Sequence, residues 1–352
     1  MKVVAGPYDL TREELARVLS DQPAYRLDQV WRGLNAESRR PSEMTNLPQE
    51  LRNRLEKKLT PALRLATESR SDGDQTVKWL WSLHDGAQIE TVLMRYPDRA
   101  TVCVSSQAGC AMRCSFCATG QSGFTRHLSA GEIVEQVVAA RRAAAPSRVS
   151  NVVFMGMGEP MANYDNVWAA IRRIHDDLGI SARHLTLSTV GVIPGIRRMA
   201  GEDLPVNLAV SLHAANDGLR NELVPLNRRY PLPALIEVCR QYVTAKGRRL
   251  SFEWALIAGV NDRPSDAHEL AELALPLGAH VNLIPLNPTP GYGVRGSDPG
   301  AVRRFRAILE EEGVNATVRR NRGTDIDAAC GQLAARNADK AGDPNPTPGR
   351  TL

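Results

Sequence analysis

The sequence predicts a parallel α/β fold behind a small helical N-terminal domain, and three observations carry that prediction. From about Thr101, apolar strand, loop and amphipathic helix alternate six times. Residues 1–63 carry apolar positions at helical spacing instead. Between the two, TVKWLWSL and QIETVLMRY alternate around HDGAQ, the pattern of paired strands. The six later strands are TVCVSS, NVVFMG, HLTLST, VNLAVSL, LSFEWALI and HVNLIPLN. Their rhythm suits either an open doubly wound sheet or a partial barrel.

In chain order, DLTREELARVLSD opens on an Asp cap and places Leu15, Val18 and Leu19 on one helical face. LDQVWRGLN and LPQELRNRLEKKL follow, the second starting at a Leu-Pro boundary. Residues 64–100 read as a strand-rich connector that extends the sheet, and 101–336 as the α/β core. In AGEIVEQVVAARRAAA, Ser129 and Glu132 form a capping box. PGAVRRFRAILEEEG is a helix after the sixth strand, and VNATVRR a short further strand. The tail, 337–352, is polar and rich in Pro and Gly, a composition that favours disorder.

Hydrophobic residues make up 43% of the 352 and charged residues 24%, the balance of a soluble globular chain. No apolar run approaches the roughly 20 residues that span a bilayer, and no signal-peptide core is visible. A cytoplasmic monomer with reduced thiols is expected. Net charge is 44 − 39 = +5. Adjacent arginines recur from Arg39-Arg40 to Arg319-Arg320, which permits a polyanionic partner without requiring one.

Cys110, Cys114 and Cys117 form a C-x3-C-x2-C loop after the first core strand. A structural zinc takes four closed ligands, and no second cysteine pair is present. Its fourth would have to be distant Cys103, Cys239, Cys330 or a histidine. An iron–sulfur cube held by three thiols keeps one iron open for a cofactor or substrate. Strand ends add polar groups where a β/α barrel collects its chemistry: Gly158 and Glu159, Ser188, Ser211 and His213, and Asn287. The Glu159 carboxylate suits an ammonium group. GMGEP lacks the Lys of a phosphate loop and the GxGxxG spacing, so triphosphate binding is excluded.

With Phe116 ahead of its last thiol, the cysteine loop resembles the radical S-adenosylmethionine (SAM) superfamily. TVCVSSQAGCAMRCSFCATG, NVVFMGMGEP, SLHAANDGLRNELVPLN, VNLIPLNPTPG and RGTDIDAACGQLA together resemble the RlmN/Cfr RNA adenine methyltransferases. The likeness runs from MTNLPQELR to Leu333. It implies a partial (β/α)6 radical SAM barrel and a [4Fe–4S] cluster on Cys110, Cys114 and Cys117. It implies SAM contacts from Gly158, Glu159, Ser188, Ser211, Leu212, His213 and Asn287.

The resemblance also gives the lone cysteines a purpose. Cys330, in DAACGQ, would accept a methyl group from one SAM, and a second SAM would supply the radical that activates it. The carbon radical would add to adenine, Glu90 would take the ring proton, and Cys103 would form a disulfide with Cys330 to release the product. The implied substrates are 23S rRNA and tRNA, with flavodoxin or ferredoxin as electron donor. RGTDIDAACGQL looks closer to the branch that methylates adenine C2 than to the sibling that methylates C8. The N-terminal helices and arginine pairs are the expected RNA contacts, and Cys239, in LPALIEVCRQYV, reads as packing. Two rivals stand beside this reading. One is a zinc-containing, non-catalytic RNA-binding protein; the other is a radical SAM enzyme acting on a protein or small molecule.

Overall fold

The structure, a computed structural model, describes residues 6–71, 73–287, 293–319, 323–327 and 332. The expected N-terminal helices are present as α1 (Arg12–Val18), α2 (Tyr25–Leu34) and α3 (Gln49–Lys58). The cap of α1 is Thr11, not Asp9. Thr11 Oγ1 accepts from the Glu14 amide at 3.1 Å, and the Glu14 carboxylate accepts from the Thr11 amide at 2.8 Å. Asp9 instead reaches the helix Ala130–Ala144, where its Oδ1 accepts from the Gly131 amide at 2.9 Å. A Cβ on Gly131 would stand 2.4 Å from that carboxylate, so only glycine admits the contact.

Arg141 and Arg142 complete this attachment. Arg141 donates to the carbonyls of Asn35 at 3.2 Å and Ala36 at 2.8 Å. Arg142 meets both Glu43 oxygens, at 2.8 and 2.6 Å. A bidentate guanidinium–carboxylate pair fixes orientation as well as distance. One arginine pair expected to contact RNA therefore latches the N-terminal helices to the core.

β1 (Arg64–Ser71), β2 (Thr76–Ser82), β3 (Gln88–Arg95) and β4 (Ala100–Cys103) run antiparallel to one another. The side chains of β1 are almost all exposed, so it offers no apolar alternation for sequence reading to find. After β4 comes a hairpin, β5 (Gln107–Gly109) and β6 (Phe124–His127), with the short α4 (Ala118–Gln121) between its strands. Helix α5 (Ala130–Ala144) opens on the expected box: the Glu132 amide donates to Ser129 Oγ at 3.1 Å and the Ser129 amide to Glu132 at 2.9 Å.

The parallel run continues through β7 (Val149–Phe154), α6 (Tyr164–Asp176), β8 (Leu185–Thr189), α7 (Ile193–Ala200) and β9 (Asn207–Ser211). It proceeds through α8 (Asp217–Leu223), α9 (Leu232–Lys246), β10 (Leu250–Leu256), α10 (Pro264–Ala274) and β11 (His280–Pro285), and ends with α11 (Pro299–Glu311) and β12 (Ala316–Val318). Spatial order in the ten-stranded sheet is β1-β2-β3-β4-β7-β8-β9-β10-β11-β12, the order of the chain. A doubly wound sheet needs a point where that order reverses. Among the described residues the order never reverses, so the fold is the partial barrel, with six β/α units and a short closing strand.

Register decides which side chains face the lumen. Val92 pairs with Cys103, Cys103 with Val153, and Val153 with Thr186. Ser211 pairs with Glu253, Glu253 with Asn282, and Asn282 with Thr317. Paired residues share a face, apolar where β3, β4 and β7 meet and largely polar from β8 to β12. The other face, with Val152, Leu187, Leu208, Phe252, Trp254 and Leu283, is buried in the core. Polar residues crowd the lumen because the outward apolar face already supplies the core.

Candidate active site

The cysteine loop is cradled by the β5–β6 hairpin, which the sequence reading did not find. Gly109 has φ +75°, and a Cβ there would stand 2.0 Å from the Gly123 carbonyl. The hairpin closes that tightly, and the Cys110 amide donates to the same carbonyl at 2.7 Å. Cys110, Cys114 and Cys117 then line one cavity of about 360 Å³ with Met112, Thr119, Gly156, Gly158, Glu159 and Val190. Burial pushes the Cys110 thiol up to about 12, and that of Cys114 well above the ordinary range. Thiols so desolvated ionise only beside a compensating cation. Three thiols facing one chamber can each ligate one iron of a cube and leave its fourth iron open.

A larger cavity of about 860 Å³ shares Cys114, Cys117, Gly158 and Glu159 with this chamber. Two glycines let the GMGEP turn press against the chain beyond β4. A Cβ on Gly156 would meet the Val104 carbonyl at 2.7 Å, and one on Gly158, at φ +102°, would meet Gln107 Cβ at 2.5 Å. Glu159 is fixed by this approach. Its amide donates to Gln107 Oε1 at 2.8 Å, while its carboxylate accepts from the amides of Met161 and Val190, both at 2.9 Å. Burial raises its pKa to about 7 against the pull of those bonds. A carboxylate held this way gains from a cationic partner in the cavity.

Ser188, Ser211, His213 and Asn287 line the same cavity, so the strand-end polar groups converge as expected. The hydroxyls of Ser188 and Ser211 lie 3.4 Å apart. His213 Nδ1 accepts from the Ala255 amide at 3.0 Å, which places the ring proton on Nε2. Burial, with Arg220 nearby, lowers its pKa to about 3, so the ring is a neutral wall packed edge-on to Phe116 at 4.6 Å. Leu212 is different: its side chain is buried in the core and is not part of the lining. Its carbonyl accepts from Arg220 Nε at 3.0 Å. The buried Arg220 also donates to the Val190 carbonyl at 2.6 Å and to Asn227 Oδ1 at 2.7 Å, tying the loops beyond β8 and β9 together. Burial lowers its pKa to about 10.

Among the lining residues that sequence reading missed are Met155, Glu253 and Arg319. Glu253 Oε1 accepts from Asn282 at 2.8 Å and from Ser251 at 3.2 Å, and Arg319 stands 3.9 Å from Oε2. Arg319 also donates to the Met155 thioether at 3.8 Å. Glu253 turns inward by its register on β10, and Met155 and Arg319 lie just past the ends of β7 and β12, placements that no local motif displays.

Cys103 and Glu90 lie on the same lumen face, Cys103 opposite Val92 and Glu90 one pleat along β3. Both are buried. Cys330 lies outside the described residues. The short segment Gly323–Asp327 rests against β1 and β2: Ser71 Oγ bonds the Asp325 carboxylate, and Lys78 Nζ donates to the Asp327 carbonyl at 3.3 Å. Cys239 is wholly buried in α9, its thiol pushed up to about 12 by burial, which agrees with packing.

Residues 104–274 match the radical SAM superfamily. A Frankia casuarinae protein named probable dual-specificity RNA methyltransferase RlmN is 53% identical, with 94% of this chain and 83% of that protein aligned. One of the same name from Chloroflexus aurantiacus is 49% identical over 94% and 93%. The crystal structure of a radical SAM methyltransferase from Sphaerobacter thermophilus superposes with a TM-score of 0.90 at 49% identity, covering 94% of this chain and 99% of that one.

Proposed function

Because this chain belongs to the RlmN family of radical SAM RNA methyltransferases, we propose that it methylates C2 of an adenine in 23S rRNA, and an adenine of tRNA. The methyl group would travel through an S-methylcysteine at Cys330, with two SAM molecules used per turnover. The family's cofactors, a [4Fe–4S] cluster and SAM, are this chain's cofactors as well. One observation carries the reading: the three-thiol chamber opens onto a cavity lined by Glu159, Ser188, Ser211, His213 and Asn287. Cys110, Cys114 and Cys117 would hold the cluster, which when bound would supply the electron for reductive cleavage of SAM.

The chain's own residues do the rest. Glu159 accepts the SAM ammonium, relieving its buried charge. Ser188, Ser211 and Asn287 offer hydrogen bonds to the nucleoside, and Phe116 and His213 form an apolar, uncharged wall. Gly158 brings the turn close enough for Glu159 to reach. Glu90 takes the ring proton; the Cys103 thiolate then attacks the Cys330 sulfur, the S–CH2 bond breaks, and its electron pair with a proton from solvent completes the methyl group and frees the base. RNA presents a base splayed from its stack, and the N-terminal helices meet its backbone. Among the described residues no helix is long and apolar enough to cross a membrane. The same proposal, resting on the family resemblance, has the protein act as a cytoplasmic monomer reduced by flavodoxin or ferredoxin.

The test is nucleoside analysis of 23S rRNA and tRNA treated with the anaerobically reconstituted protein. The expected product is 2-methyladenosine; 8-methyladenosine would assign the sibling reaction, and no product with stoichiometric zinc would assign a binding module. Cys103→Ala sharpens the result. Cys330 should still be methylated and RNA should become covalently trapped, so free RNA with normal turnover would remove Cys103 from the pathway.

A further inference from the structure

Lys78 lies on β2 in register with Val92 and Cys103, facing the lumen. Its side chain is 13% exposed and that of Glu90 2%. Lys78 Nζ stands 3.5 Å from Glu90 Oε1 and 3.3 Å from the carbonyl of Asp327, to which it donates. One ammonium therefore touches the carboxylate assigned to the ring proton and the chain three residues ahead of Cys330. Ser71 fastens the same segment through Asp325.

We propose that Lys78 is a positioning residue for the RNA reaction: it holds Glu90 charged and aimed into the lumen, and its bond to Asp327 ties that pairing to a docked C-terminal segment. This rests on the role given to Glu90 above. A buried carboxylate without a cation is costly as an anion and tends to take up a proton from solvent. In that state it has no basic oxygen to offer. The step at stake is proton transfer alone. The C2–H bond of the adenine adduct breaks, its electron pair stays with the ring, and the proton passes to the Glu90 carboxylate. The second contact sets Asp327, three residues ahead of Cys330 in the sequence, beside the same ammonium.

The test compares Lys78→Met, Lys78→Gln and Lys78→Arg with Glu90→Gln in the reconstituted holoenzyme acting on RNA. Three readouts are followed: methylated adenosine, S-methylation of Cys330 by peptide mass, and protein–RNA conjugate on denaturing gels. Glu90→Gln is expected to trap conjugate. Lys78→Met should do the same, lowering product about a hundredfold, the range of a lost general base. Cys330 methylation should stay near the wild-type level in both. Lys78→Gln retains a donor for Asp327 but no charge, so it should also trap conjugate. Lys78→Arg should restore turnover.

The failures are distinguishable. Normal turnover by Glu90→Gln would overturn the role of Glu90, and the proposal with it. Conjugate from Glu90→Gln with normal turnover by Lys78→Met and Lys78→Gln would overturn the proposal alone. Loss of Cys330 methylation in Lys78→Met, with Lys78→Gln active, would reduce Lys78 to a strut for the segment and overturn the charge argument. Should Lys78→Met fail to fold, Lys78→Gln decides by the same readouts.

Discussion

The cluster wall of the cavity comes mainly from one stretch of chain, residues 107–127 with the GMGEP turn behind it, whereas the opposite wall takes single side chains from β8, β9, β10 and β11 and from Arg319 beyond β12. The first is fixed by backbone pressed on backbone, as where the Gly123 carbonyl receives the Cys110 amide. The second is fixed by register, each strand contributing what its pleat turns inward. A contiguous loop with three required thiols should fail as a unit. A wall assembled from several strands should weaken one contact at a time.

Breaking the cluster wall alone should give the largest effect. Cys114→Ala removes one of three thiols from a buried chamber. Iron content and visible absorbance should fall to background after anaerobic reconstitution, and methylated adenosine should become undetectable. The strand wall should survive, with Tm within a few degrees of wild type, because Cys114 packs in a small cluster apart from the main core. A stable, iron-loaded Cys114→Ala protein would show that the loop does not act as a unit.

The same contrast sets what could be read from sequence. Three thiols within eight residues, and glycines beside Glu159, are local patterns, so the cluster wall was legible at once. All six parallel core strands were legible too, because each carries apolar residues at the positions that turn into the core. The β5–β6 hairpin was not, since FTRH is short and mostly exposed. Glu253 was hidden for a different reason. LSFEWAL reads as a core strand, and the side to which Glu253 points depends on its pairing with Ser211 and Asn282. Arg141 and Arg142 show the converse error. Arginine pairs look like an RNA surface until their partners at Asn35, Ala36 and Glu43 are placed.

Next in size is a change at the seam between the two walls. Gly158→Ala sets a Cβ 2.5 Å from Gln107 Cβ at φ +102°. The expected cost is on the order of 3 kcal/mol, from backbone strain plus overpacking. Gly179→Ala is the control: φ is +71° there, but nothing lies within 4 Å of the added atom. It should cost about 1–2 kcal/mol, the strain of a left-handed residue alone. Thermal melting should therefore rank Gly158→Ala well below Gly179→Ala, and SAM affinity should fall only in the former. Equal melting points would mean that the GMGEP turn relaxes away from Gln107 and does not set the position of Glu159.

The smallest effect belongs to the strand wall. Glu253→Gln keeps the shape and one oxygen for Asn282 but removes the charge that faces Arg319. The pair is separated by 3.9 Å, so the coupling lost is modest, on the order of 1 kcal/mol. Because Glu253 lines the cavity, the lost charge should also weaken SAM binding roughly fivefold by calorimetry, the equivalent of about 1 kcal/mol. Iron content and the cluster spectrum should not change. Loss of iron in Glu253→Gln as complete as in Cys114→Ala would join the two walls into one cooperative structure, and the distinction between loop and register would fail. An intact cluster with weakened SAM binding would keep them separate, because charge on β10 then tunes the ligand without reaching the thiols.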